Sequence, residues 1–133
     1  MEIENKKHGK YVTELGTWYS LHETVNSPCI GISGEKDLNG AKFGMGWVYL
    51  PEPFVMIGES HKHDDCNQLI IFLGSNLNNI VEFDAEIEFT VDGEINTITY
   101  PACVYVPKGV MHCPLIVKRV TKPVMFMDIR FWD

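Results

Sequence analysis

The chain has 133 residues, which fits a single domain. Hydrophobic residues at 45% and charged residues at 22% are ordinary for a globular protein and exclude disorder, collagen-like repeats and coiled coils. The formal net charge is -7, and Arg119 and Arg130 are the only arginines. That balance argues against nucleic acid and against anionic membrane surfaces, both of which reward clustered Lys and Arg. No run of about 20 apolar residues offers a membrane-spanning helix.

Met1–Lys7 is polar and lacks the apolar core of a signal peptide, so a cytoplasmic location is expected. Cys29, Cys66, Cys103 and Cys113 form no CxxC pair and read as reduced, small, semi-buried hydrophobes. Residues 1–27 are mixed in character and read as an arm packing on the domain or across a dimer. Within it, Tyr11–His22 is expected to hold one short strand or helical turn.

From residue 28 to residue 133 strand follows strand. Lys42–Leu50 is rich in aromatic and β-branched residues, with Gly44 and Gly46 marking a bend or a close backbone approach. Val55–His63 follows a Pro-Glu-Pro turn, and Gln68–Leu73 is almost wholly apolar. Val81–Val91 alternates strictly, with Phe83, Ala85, Ile87 and Phe89 on the dry face. Asp92-Gly93 is the pair that type I′ hairpins favour, and Glu94–Tyr100 pairs back. Cys103–Val106, His112–Val117 and Pro123–Phe131 complete the series, and no segment shows a capped helical period. Short strands punctuated by Gly, Pro, Asn and Asp predict an all-β, antiparallel sandwich or barrel with little helix.

Two sequence features carry chemistry. His61-Lys62-His63 places two imidazoles at i and i+2, which share a face if the segment is a strand, and Gln68 follows five residues later. Pro107-Lys-Gly109-Val-Met-His112 puts a third histidine directly after a turn. Together they resemble the cupin superfamily. Its first motif is matched by Gly58, His61, His63, Gln68 and Gly74; its second by Gly93, Pro107, Gly109 and His112. Gly58 stands closer to His61 than the usual pattern has it, and Leu115 and Ile116 stand where an asparagine often does.

The resemblance implies a double-stranded β-helix, or jelly-roll barrel, and one divalent transition metal on His61, His63, Gln68 and His112. The N and O donors suit Zn, Ni, Fe, Mn, Co or Cu alike. Glutamate is the family's commoner fourth ligand. A glutamine oxygen cancels no charge, so the ligand set leaves a +2 centre that favours anionic substrates and Lewis-acid chemistry over oxygen activation. On that reasoning Gln68→Glu should tighten metal binding. Cys66 and Cys113 are alternative soft ligands, but strand alternation turns Cys113 away from the side of His112.

Counting by two predicts that Ile70 and Phe72 line the barrel with Gln68, and that Met125, Met127, Ile129 and Phe131 line it from the last strand. Asp128 and Arg130 then face outward, and Val124 and Phe126 need cover. Glu59, Ser60 and Tyr105 are further candidates for the rim or for proton transfer. The reading is a metal-dependent enzyme of isomerase, cyclase or lyase type acting on a small oxygen-rich or anionic molecule. A redox-metal dioxygenase and a non-catalytic binding or sensor barrel are the alternatives. The resemblance also implies a homodimer.

Overall fold

The alternation seen in the sequence becomes two facing antiparallel sheets in the computed structural model, which describes residues 5–18 and 21–133. In chain order the strands are β1 (Lys6–Lys7), β2 (Thr13–Glu14), β3 (Thr17–Trp18) and β4 (Cys29–Ser33). After a one-turn helix α1 (Gly34–Asp37) come β5 (Phe43–Leu50), β6 (Phe54–Ile57), β7 (Asn67–Leu73) and β8 (Ala85–Val91). The series ends with β9 (Glu94–Ile98), β10 (Ala102–Val106), β11 (His112–Val120) and β12 (Val124–Phe131).

One sheet has the order β10-β7-β12-β5-β4-β3 and the other β6-β11-β8-β9. All pairings are antiparallel, as a jelly roll requires. Asp92 and Gly93, between β8 and β9, both have positive φ (52° and 76°), the geometry of the expected type I′ turn.

The core lies between the sheets. Phe72 from β7, Phe126 and Val124 from β12, Val48 and Leu50 from β5, and Leu115 and Val117 from β11 are all buried. Beside β11 in the smaller sheet, β8 contributes Ala85, Ile87 and Phe89, the dry face that its alternation announced. Phe72 meets Phe126 and Phe89 with ring centroids 5.5 and 6.4 Å apart, within the range that aromatic pairs favour.

Of the expected arm, residues 1–4, Tyr19 and Ser20 lie outside the described residues. Around them, β1 and β2 form a two-stranded ribbon, and β3 extends the larger sheet by pairing with β4. Asn5 ties the ribbon to the barrel: its Nδ2 donates to Gly31 O and to Asp37 Oδ2, both at 2.8 Å. Its Oδ1 accepts from Gly16 N at 2.7 Å. Asp37 is buried and also accepts from Ser33 N, so this carboxylate organises the turn at α1 rather than a reaction.

Four expectations are corrected. The most consequential concerns β12, whose phase is the reverse of that expected. Phe126, Asp128 and Arg130 pair with Phe72, Ile70 and Gln68 and share their inward face. Val124 and Phe126 are therefore core, while Met125, Met127 and Ile129 face outward. The strand expected over Val55–His63 ends at Ile57; His61 makes an isolated bridge and His63 lies on a loop. The strand expected from Val81 begins at Ala85, leaving Val81 exposed. Of the cysteines, Cys103 is exposed on β10, and all four are free thiols.

Candidate metal centre

His61 and His112 are held together by their own backbones. His61 N donates to His112 O at 3.0 Å, and His112 N donates back to His61 O at 2.8 Å. Gly109 N donates to His63 O at 2.8 Å and Lys108 N to Asn67 Oδ1 at 3.1 Å. Gly109 has φ 79°, a conformation that glycine adopts without a steric penalty, so the Pro107–His112 turn can fold back onto the His61–His63 loop. Two segments far apart in sequence thus become one wall.

The three imidazoles converge. Ring centroids are 5.0 Å apart for His61–His63, 4.4 Å for His61–His112 and 5.2 Å for His63–His112. One ring nitrogen from each lies within 4.8 Å of the others, close enough for all three to reach a single ion. Gln68, at the start of β7, is buried and faces the same cavity as His61 and His112.

The hydrogen-bonding pattern decides which atoms are left for a ligand. His112 Nδ1 donates to Val110 O at 3.0 Å, which turns Nε2 inward with its lone pair free. His61 Nδ1 lies 3.3 Å from Glu59 O. Gln68 Nε2 donates to Asp128 Oδ1 at 2.8 Å, leaving Oε1 free. Among the described residues, four buried side-chain polar atoms lack a hydrogen-bond partner, and three of them are His63 Nε2, Gln68 Oε1 and His112 Nε2. Buried polar atoms are rarely left unpaired, so unpartnered nitrogens on two of the three converging imidazoles, with an unpartnered amide oxygen on Gln68, fit a cation site. Burial holds the His63 and His112 imidazoles below the ordinary histidine value, with the Arg130 charge adding to the effect, so both are neutral and ligand-competent at pH 7.

Asp128 and Arg130 belong to this centre, although period two counted from Met125 predicts both outside. Asp128 bridges its neighbours: Oδ1 accepts from Gln68, and Oδ2 lies 3.3 Å from the Arg130 guanidinium. One step behind the neutral donors the chain therefore places a carboxylate, itself paired with the Arg130 guanidinium. This geometry predicts a different outcome for Gln68→Glu. A glutamate there would set its second oxygen against the Asp128 carboxylate and lose the donor that orients it.

The other candidates fare differently. Glu59, Ser60 and Tyr105 are exposed. Cys113 does not turn away as alternation predicted. It has φ 82°, the register of β11 on β8 shifts between His112 and Leu115, and both His112 and Cys113 face the cavity. Burial pushes its thiol up to about 12, so in the absence of a metal it is a neutral thiol at neutral pH. Cys66 is also buried, and its thiol is raised by the same cause.

The same architecture occurs in solved structures. AerE from Microcystis aeruginosa superposes with TM-score 0.60 over 92% of this chain at 13% identity. An RmlC-like cupin from Shewanella frigidimarina gives 0.56 over 98% of this chain and 95% of its own, also at 13% identity. The chain has the cupin fold. A sugar phosphate isomerase of the cupin superfamily from Silicibacter pomeroyi gives 0.52, covering 79% of this chain and 60% of its own at 13% identity. The chain spans only 47% of the length of AerE. No family model and no curated protein matches the sequence. Among the described residues, no helix is long and apolar enough to cross a membrane.

Proposed function

We propose that this cupin is a metal-dependent enzyme performing Lewis-acid chemistry, of isomerase, cyclase or lyase type, on a small oxygen-rich or anionic molecule. The observation that carries the reading is the convergence of His61, His63 and His112 on one point, with His63 Nε2 and His112 Nε2 unpartnered, beside Gln68, whose unpartnered Oε1 belongs to a side chain lining one cavity with His61 and His112. A divalent cation bound there would supply positive charge to polarise a carbonyl or hydroxyl oxygen. The isomerase among cupins of this fold supports the choice of reaction class.

The chain's own groups provide the remainder. His61, His63, Gln68 and His112 would hold the ion without neutralising it. Asp128 lines the cavity with a carboxylate that can take or return a proton, and Arg130 beside it attracts an anion. Phe89, Leu115 and Phe126 wall the inner side and exclude water.

Elemental analysis of freshly isolated protein tests the first half: about one equivalent of a divalent transition metal is expected, removable by chelator. Small hydroxy- and keto-acids incubated with the reloaded protein, followed by proton NMR, test the second. Isomerised, cyclised or eliminated product without oxygen uptake supports the proposal. Oxygen consumption would replace it with the dioxygenase reading. Protein that carries no metal when isolated and takes none up on reloading would overturn it.

A further inference from the structure

A second cavity opens beside the metal centre. It has a volume of about 450 Å³ and shares Leu21, Asp128 and Arg130 with the cavity of the histidines. A chamber of that size suits a small organic molecule. Its walls come mainly from β4, β5 and β12, with Phe43, Ile32 and Trp132 supplying apolar surface.

Two features show what it would hold. The first is space created by sequence. Gly44 and Gly46 stand opposite Arg130 and Asp128 in the β5–β12 pairing, where alternation would otherwise send side chains inward. A Cβ at Gly46 would lie 2.3 Å from Leu21 Cδ1, while one at Gly44 would meet nothing nearer than Ile32 O at 3.7 Å. Gly44 leaves the chamber open beside the guanidinium, while the place of a side chain at Gly46 is taken by Leu21. The second is charge. Arg130 lines the chamber with its guanidinium beside the Asp128 carboxylate, in a chain whose net charge is -7. Among the described residues, the only hydrogen bond of the Arg130 side chain is the 3.3 Å contact to Asp128. The other donors of its fork are left for a ligand.

We infer that this chamber binds an organic carboxylate with a flat apolar body, its anionic end on Arg130 and its body against Trp132 and Phe43. As a statement about substrate it rests on the metal-dependent reading, since Arg130 and Asp128 link the chamber to the histidines. The anion would share the guanidinium with Asp128, and its body would fill the space that Gly44 leaves.

Benzoate and its uncharged counterpart benzamide serve as probes, measured by calorimetry and Trp fluorescence. Benzoate should bind more tightly than benzamide. Arg130→Gln should weaken benzoate about tenfold or more and leave benzamide unchanged, the usual size of a lost charge-assisted hydrogen bond. Gly44→Val should weaken both by filling the chamber, with melting curves confirming that each variant folds. Repeating the series in the metal-free His61→Ala, His63→Ala protein separates this inference from the metal reading. Arg130-dependent binding retained there belongs to the chamber, even if no metal is ever found. Benzoate binding that vanishes with the metal, or that ignores Arg130→Gln, overturns the inference.

Discussion

The two ends of this barrel are built by the same strands and do opposite things. At one end the inward positions of β7, β11 and β12 are Gln68, His112 and Asp128. Further along the same strands they become Phe72, Val117 and Val124, all fully buried. The dry end asks nothing of water and stabilises the fold through burial and close aromatic contact. The polar end leaves three buried acceptors unpaired, each costing about 1–3 kcal/mol unless a ligand satisfies it. Stability is thus concentrated at one end, and the other end can tolerate a site that destabilises it.

The largest effect should come from the dry end. Phe72→Ala removes a fully buried ring that touches Phe89 and Phe126, and should lower stability by about 3–5 kcal/mol. Denaturant unfolding measures the loss. The fraction that stays folded should still take up metal. A loss below about 1 kcal/mol would mean that the aromatic contacts are not where stability resides.

The mirror experiment is His61→Ala with His63→Ala. Metal content by elemental analysis should fall to background, while the melting temperature in the absence of metal stays level or rises. The rise is expected because His63 Nε2 is one of the unpaired buried atoms. Full metal content in the double variant would remove the centre from this end of the barrel.

How much of this contrast the sequence shows depends on the strand. On β8, charged and apolar residues alternate from Ala85 to Phe89, so the pattern alone assigns Ala85, Ile87 and Phe89 inward. The histidine motifs are legible for another reason: they are local, and the turns that aim them lie within them. β12 is not legible. Val124 and Phe126 on one face and Met125, Met127 and Ile129 on the other are equally apolar, so period two fits either phase. Only its register against β7 settles the phase, and register is a long-range property. That ambiguity hides Asp128 and Arg130. Cys113 escapes strand counting for a related reason, because its φ of 82° and the shift in register beside it break the alternation that such counting assumes.

A smaller effect should sharpen the account of the polar end. Gln68→Glu alone should bind metal no more tightly than the natural chain, because the new carboxylate meets Asp128 across what is now a 2.8 Å hydrogen bond. Adding Asp128→Asn restores a donor there, and the double variant should bind about tenfold more tightly than Gln68→Glu alone, in the range of second-layer contacts at metal sites. Competition with a chelating dye reads both affinities. Equal affinities for the two variants would mean that Asp128 does not orient residue 68.

The smallest effect on either end should come from the outside of the larger sheet. There Met125, Met127 and Ile129 pair with Leu73, Ile71 and Leu69 on one side and with Tyr49, Trp47 and Met45 on the other. None of these nine residues is charged, in a chain where 22% are. Such a face is complementary to another of its kind, so we expect a second copy of the chain to cover it and form a two-fold dimer. Sedimentation should give a dimer at micromolar concentration. Met127→Lys puts a cation in the middle of the face and should shift the protein to monomer. The metal stoichiometry should not change, because residue 127 points away from both ends of the interior. A natural chain that sediments as a monomer would leave the face without that partner. A dimer that persists in Met127→Lys would place the contact elsewhere, with the ribbon of β1 and β2 the next segment to test.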